Sequence, residues 1–275
     1  METNPEIGRR IVAGGIATNY HDLGQGQPLL LIHGSGPGVS AYANWRLNMG
    51  PLSANRRVLA PDILGFGYTK SPPGLEFSLG RAVDHLTAFI DELQLGPVDI
   101  VGNSFGGALA LALTAKSPEK VRRIVLMGAA GVEFPLTEGL DRAWGYEPSI
   151  ENMRRLIETF SFDATRATED LVRMRYEASI RPTFQERFSA LFPAPRQRWI
   201  SALATPEDVI AGIDKPVLIL HGREDKVIPP ANAERLFRLI PRAELHMFGQ
   251  CGHWTQIEHA ARFNFLVDNF LAGAA

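Results

Sequence analysis

The sequence predicts an α/β fold built on a mostly parallel sheet, and three observations carry that prediction. Short β-branched or leucine-rich runs alternate with segments of helical periodicity, the pattern of strands joined by helical crossovers. With 275 residues, 45% hydrophobic and 21% charged, the chain is long enough to bury a large core as one domain. Between about residues 133 and 207 the β signal disappears and the pattern becomes helical, which marks an insert between sheet strands.

Taken in order, residues 10–20 read as an antiparallel hairpin at the sheet edge. Strands are expected at 28–33, 57–60, 98–102, 123–127, 216–221 and 244–248. A helix starts near Ser78, sets Val83, Leu86, Phe89, Ile90 and Leu93 on one face, and is expected to stop at Gly96. Another closes the chain with Phe263, Leu266, Val267 and Phe270 facing inward. In the insert, Ser149 reads as an N-cap ahead of Ile150, Met153, Leu156, Ile157 and Phe160 at helical spacing, and Pro193, Pro195 and Pro206 punctuate the return. The expected organisation is a core of residues 1–132 and 208–275 with a helical cap at 133–207. Ligands of open α/β sheets bind beyond the carboxyl ends of the strands, so a cap there would enclose the site and exclude water.

Composition narrows the function. A net charge of −2 supplies no global field for nucleic acid or an anionic membrane, so any anionic ligand must be met by local charge. The first fifteen residues have no long apolar stretch after their two arginines, and no signal peptide is expected. No apolar run approaches the ~20 residues needed to span a bilayer. The single cysteine, Cys251, cannot form an internal disulfide, which fits a reducing cytoplasm. Zinc-type His-Glu-x-x-His or paired-cysteine patterns are missing from the sequence, and neither metal nor cofactor is expected. A homo-oligomer is expected.

Chemistry concentrates at Gly102-Asn103-Ser104-Phe105-Gly106, a nucleophile-elbow pattern that follows an apolar strand and opens a helical run from Ala108 to Ala115. So tight a strand-to-helix turn needs nearly side-chain-free residues around the serine, and the helix N-terminus adds a positive dipole beneath developing negative charge. A serine hydroxyl is a weak nucleophile until a base takes its proton. Of seven histidines, His253 in Gly-Gln-Cys-Gly-His-Trp follows a late strand on a loop that reaches the elbow. His33 and His221 end strands and read as loop braces, while His21, His85, His246 and His259 read as structural or surface groups. Asp225 in His-Gly-Arg-Glu-Asp suits the residue that orients the imidazole, and the neighbouring Glu224 would point away. Ser, then Asp, then His is the chain order of the α/β-hydrolase fold. The glycine-rich stretch His33-Gly34-Ser35-Gly36-Pro37-Gly38 could present backbone N–H groups, and the oxyanion hole is assigned to Ser35 and Phe105. Cys251 reads as a small buried residue.

Arg173 has Glu169 and Glu177 four residues away on either side, which predicts a surface ion-pair ladder. Arg175 instead shares a face with Leu171, Met174 and Ala178. Pattern alone leaves it either snorkelling or facing an anion in a pocket.

The stretches His-Gly-Ser-Gly-Pro-Gly-Val-Ser-Ala-Tyr-Ala-Asn-Trp (33–45), Val-Gly-Asn-Ser-Phe-Gly-Gly (101–107), Met-Gly-Ala-Ala-Gly (127–131), His-Gly-Arg-Glu-Asp (221–225) and Cys-Gly-His-Trp-Thr-Gln (251–256) resemble the meta-cleavage product hydrolases, over essentially the whole chain. Residues 144–154 and 195–200 resemble the branch acting on monoalkylbenzene-derived compounds, the cumene-pathway type. The resemblance implies hydrolysis of a carbon–carbon bond in 2-hydroxy-6-oxo-hexa-2,4-dienoates, giving a 2-hydroxypentadienoate and a carboxylic acid. It implies that Asn44, Asn103, Arg175 and Trp254 hold the carboxylate and hydroxyl end of an anionic dienoate, which moves Arg175 towards binding. It further implies an acyl pocket of Ala130, Trp144, Ile200 and Ile228, and a structural Asp62. Two other readings use the same scaffold: an esterase or cofactor-free perhydrolase, against which Arg175 and Asn44 argue, and a non-catalytic small-molecule receptor. Dehalogenases and epoxide hydrolases of this fold carry aspartate where this chain has Ser104.

Overall fold

In the computed structural model, which describes residues 4–71 and 76–273, eight strands form one sheet. In chain order they are β1 (Arg9–Ala13), β2 (Ile16–Leu23), β3 (Pro28–Ile32), β4 (Arg57–Pro61), β5 (Val98–Asn103), β6 (Val121–Met127), β7 (Val217–Gly222) and β8 (Ala243–Phe248). Across the sheet the order is β1-β2-β4-β3-β5-β6-β7-β8. The β1–β2 and β2–β4 pairs are antiparallel and the rest parallel. This is the α/β fold with an edge hairpin that the sequence predicts.

Strands β5 and β7 are buried at every position, as parallel strands covered on both faces must be. Alternation divides the core in two. Leu30, Ile32, Ile100, Ile124 and Leu126 face one apolar cluster, while Leu29, Leu31, Val101, Val125 and Met127 face the other. Helices α1 (Ala41–Trp45) and α2 (Met49–Leu52) contribute Trp45, Met49 and Leu52 to the second cluster. Helices α3 (Leu79–Glu92) and α4 (Phe105–Lys116) cover the first.

Six helices follow β6: α5 (Glu138–Trp144), α6 (Ile150–Phe160), α7 (Glu169–Ser179), α8 (Phe184–Leu191), α9 (Gln197–Leu203) and α10 (Glu207–Ala211). No strand is found between β6 and β7 among the described residues. After β7 come α11 (Pro230–Leu239), α12 (Thr255–Glu258) and α13 (Ala260–Ala272). Residues 1–3, 72–75, 274 and 275 of the expected core segments lie outside the described residues.

Local chemistry explains several boundaries. The Ser78 hydroxyl accepts the Arg81 amide at the start of α3, and the Ser149 hydroxyl accepts the Asn152 amide at the start of α6. Helix α6 buries Met153, Leu156, Ile157 and Phe160, but Ile150 in its first turn is exposed. On α13 the buried line is Phe263, Val267 and Leu271, with Leu266 and Phe270 only partly covered.

Two expectations are corrected. Helix α3 ends at Glu92, well before Gly96, because Gln94 takes the left-handed conformation at φ 51°. Its amide bonds the Asp91 carbonyl at 2.9 Å and the Leu95 amide bonds that of Ile90 at 3.0 Å, the paired bonds of a Schellman cap. The ladder around Arg173 is not formed among the described residues. Glu169 bonds Arg154 of α6 at 2.6 Å, because helix packing brings that guanidinium closer than its own helix does, and an exposed i,i+4 pair contributes little.

A left-handed residue with a side chain costs about 1–2 kcal/mol, part of which glycine recovers. Gln94 is exposed, so Gln94→Gly is expected to stabilise the chain by about 1 kcal/mol. The check is the urea midpoint; a fall would mean that the Gln94 side chain itself holds the cap.

Candidate active site

The site begins where β5 turns into α4. Ser104 sits in that turn at φ 54°, ψ −114°, strained for a residue with a side chain. Its amide bonds the Met127 carbonyl at 2.9 Å, and its carbonyl accepts the amides of Gly107 (2.9 Å) and Ala130 (3.1 Å). The turn closes only because its flanks are bare. A Cβ on Gly102 would stand 2.5 Å from the Gly106 carbonyl oxygen, and one on Gly106 2.3 Å from that of Ile32.

Asp225 lies just beyond β7 and is buried. Its Oδ1 accepts the amides of Val227 (2.7 Å) and Ile228 (3.0 Å). Its Oδ2 accepts His253 Nδ1 at 2.7 Å and faces His221 Nε2 at 3.2 Å. Burial by itself would raise the carboxyl, but the two imidazoles outweigh it and hold Asp225 well below the usual carboxylate range. With its Nδ1 proton donated to Asp225, His253 leaves Nε2 as the basic nitrogen. The His253 amide bonds the Phe160 carbonyl at 2.7 Å, so the end of α6 fixes the histidine loop. Glu258 ties the same junction by accepting the amides of Gly252 and Phe162, both at 2.8 Å. Glu224 bonds Arg223 and accepts the Cys251 amide at 3.0 Å, while the His253 ring pairs with Asp225.

Ser104 and His253 line one cavity of about 350 Å³. Asn44, Asn103, Arg175 and Trp254 line it too, so all four residues expected at the polar end come together there. Arg175 donates to the Pro37 carbonyl at 3.2 Å, and burial lowers its guanidinium to about 10, leaving it charged at neutral pH. It forms no ion pair with a carboxylate among the described residues. The Asn44 Nδ2 is buried without a partner, while Asn103 Nδ2 reaches the Met127 carbonyl at 3.4 Å.

On the other side of Ser104 lies a small apolar lobe, lined by Ala130, Trp144, Ile200 and Ile228 with Phe134 and Leu203. Ser35 and Ser104 belong to both lobes. Trp144 stacks on Phe192 with ring centroids 4.3 Å apart, and its Nε1 donates to the Ser35 hydroxyl at 3.0 Å. The Phe105 amide opens α4 and has no intrahelical acceptor; neither it nor the Ser35 amide donates to another group among the described residues.

The remaining candidates are braces. His33 Nε2 accepts the Ile63 amide at 2.9 Å, Nδ1 faces the Gly34 carbonyl at 2.8 Å, and burial lowers the ring to about 4, which keeps it neutral. His221 Nε2 donates to the Ile228 carbonyl at 3.0 Å. Asp62 accepts from Ala41, Tyr68 and Asn19 within 2.9 Å, tying α1 to the loop after β4. Sequence reasoning missed Arg46, Phe160, Arg166 and Gln256 as cavity residues. Two carried a local signal, Arg46 two positions after Asn44 and Gln256 three after His253; the other two arrive only through packing. Among the described residues, no group of three His, Cys, Asp or Glu is placed to hold a metal, and no helix is long and apolar enough to cross a membrane.

A parallel sheet with a serine at its strand–helix turn, followed in chain order by a buried aspartate and histidine, defines an α/β hydrolase. The α/β hydrolase fold family matches residues 27–260. The chain is 56% identical to a 2-hydroxymuconate semialdehyde hydrolase of Pseudomonas sp. strain CF600, over 99% of this chain and 96% of that one. It is 54% identical to a 2-hydroxy-6-oxo-2,4-heptadienoate hydrolase of Pseudomonas putida strain F1, over 98% of each. It superposes with a TM-score of 0.97 on the meta-cleavage product hydrolase CumD from Pseudomonas fluorescens IP01, a serine-to-alanine mutant solved with acetates, at 56% identity over 98% of each chain. The chain therefore belongs to the α/β-hydrolase family and, within it, to the meta-cleavage product hydrolases, which act through a serine.

Cys251 is fully buried, and burial pushes its thiol up to about 12. Iodoacetamide at pH 8 should therefore label the unfolded chain within minutes and leave the native chain unlabelled over hours. Rapid labelling of native protein, read by mass spectrometry, would show an open path to this thiol beside the His253 loop.

Proposed function

We propose that the chain hydrolyses the C5–C6 bond of 2-hydroxy-6-oxo-hexa-2,4-dienoates, yielding 2-hydroxypenta-2,4-dienoate and a carboxylic acid. The observation that carries this reading is the meeting at Ser104 of two unlike lobes, one cationic and hydrogen-bonding, the other small and apolar. A dienoate has the same polarity: a carboxylate and hydroxyl at one end, an acyl group at the other.

In this reading Arg175, Asn44, Asn103 and Trp254 grip the carboxylate and C2 oxygen. A carbon leaving group becomes viable once the dienol turns into a ketone, losing the proton on the C2 oxygen and gaining one at C5. Ser104 then attacks the C6 carbonyl, passing its proton to His253 Nε2, whose positive charge Asp225 stabilises. The oxyanion is received by the amides of Ser35 and Phe105. Collapse breaks C5–C6, the electron pair flows back to the C2 oxygen, and water hydrolyses the acyl-serine. Residues 133–207, with helices α5–α9, are read as the cap that shuts bulk water out. A homo-oligomer in the cytoplasm is part of the same proposal, the compartment being compatible with a chain whose one thiol is buried.

The test is to add the protein to a yellow dienoate and follow its absorbance at substrate excess. Full bleaching over many turnovers supports the reading; a stoichiometric change alone would make the chain a binding module. In the same assay Ser104→Ala, His253→Ala and Asp225→Asn should each lower turnover by several orders of magnitude, with double variants little worse than singles, because the three act as a unit. Near-normal turnover by Ser104→Ala would refute the assignment.

The apolar lobe sets a preference. We read the narrow lobe of Trp144, Ile200 and Ile228 around Ala130 as taking a short or branched chain in preference to a flat ring. Apolar discrimination runs to about 1–3 kcal/mol per methylene, so methyl and isopropyl dienoates should exceed the phenyl dienoate by roughly one to a few orders of magnitude in kcat/KM. A phenyl substrate that equals the alkyl ones would show that this lobe does not hold the acyl group.

A further inference from the structure

Gln256 stands in α12, three residues after His253, with no exposed surface, and it lines the polar lobe. Neither its Nε2 nor its Oε1 has a hydrogen-bond partner among the described residues. Its place is nonetheless fixed, because its backbone carbonyl accepts Asn48 Nδ2 at 3.2 Å and so pins α12 against the start of α2. A buried primary amide with both ends unpaired is costly unless something that enters the cavity completes it.

The four groups expected at the dienoate end define what Gln256 adds. Arg175 and the Trp254 indole can only donate, and Asn44 brings a buried, unpaired Nδ2 donor. The Asn103 amide is engaged with Met127, its Oδ1 turned towards Gly34. These donors suit a carboxylate. The C2 oxygen makes a further demand, because it is an O–H donor in the dienol and a C=O acceptor in the ketone. A primary amide serves both forms, accepting through Oε1 before the tautomeric change and donating through Nε2 after a half-turn about its last torsion.

We propose that Gln256 is a positioning residue for the C2 oxygen, accepting its proton in the dienol and donating to it in the ketone. This rests on the reading above that the polar lobe takes the dienoate end. Gln256 transfers no proton; it keeps the C2 oxygen in place while the proton on that oxygen leaves and another arrives at C5.

The test isolates the tautomeric step. In a Ser104→Ala background, where cleavage is blocked, 2-hydroxy-6-oxohepta-2,4-dienoate is mixed with protein and the dienol absorbance is followed in a single turnover. Adding Gln256→Met, close in size but with no hydrogen-bonding end, should slow ketonisation at least tenfold. Gln256→Asn, which keeps the amide on a shorter stem, should lie between. With Ser104 present, Gln256→Met should lose at least tenfold more kcat on the dienoate than on p-nitrophenyl acetate. Urea midpoints identify variants that have lost the fold, and if Gln256→Met is one, Gln256→Asn decides alone. Unaltered ketonisation in the folded variants, or equal losses on dienoate and ester, would overturn the role of Gln256. Failure of the unsubstituted chain to turn over the dienoate would overturn the underlying reading instead.

Discussion

The rest of the site depends on one strained turn. Ser104 is held in a conformation that side chains avoid, at φ 54°, because its amide is tied to the end of β6 and its carbonyl to α4 and to the loop after β6. The turn lets backbone pass against backbone at Gly106 and Ile32, and that approach brings the end of β3, with the loop carrying Gly34 and Ser35, alongside the serine. Nucleophile and glycine-rich loop are thus positioned by the same contact. A side chain at Gly102 would run into the first turn of α4, and one at Gly106 would push α4 off the end of β3.

The second constraint is electrostatic. Asp225 is buried, yet two amides and two imidazoles saturate its oxygens and keep it ionised. The backbone of the same histidine is tied to the insert, its amide donating to the Phe160 carbonyl at the end of α6. His253 therefore belongs jointly to the core loop and to the helical insert, and a shift of α6 would be felt at its ring.

Much of this was legible in the sequence, for reasons that are local. Short leucine-rich runs locate strands such as Leu29 to Ile32, and the hydroxyls of Ser78 and Ser149 announce helix starts. The motif around Ser104 declares its own turn, because its glycines and its strand are adjacent in the chain. What was illegible depends on approach in space. Gly96 drew the expected end of α3 because glycine usually fills the left-handed cap, whereas Gln94 occupies it here. Glu169 left its i,i+4 neighbour for Arg154 on another helix. Arg166 and Phe160 reach the cavity only because α6 and the turn after it fold over it, and the unpaired state of Gln256 is a property of its surroundings, invisible in a string of residues.

The Trp144 indole has a consequence that neither lobe has alone. It is at once a wall of the apolar lobe and, through its Nε1 bond at 3.0 Å, a tether on the hydroxyl of Ser35. A bulky group that pushes the indole aside also pulls on the loop that carries the Ser35 amide, proposed above as an oxyanion donor. Size is thereby sensed as alignment: an ill-fitting molecule can still be held by its charged end and yet find the backbone amide out of place. In such an arrangement discrimination shows in the speed of the chemical step more than in occupancy, and a repacking of Trp144 against Phe192 would retune fidelity with every residue that touches the charged end left as it is.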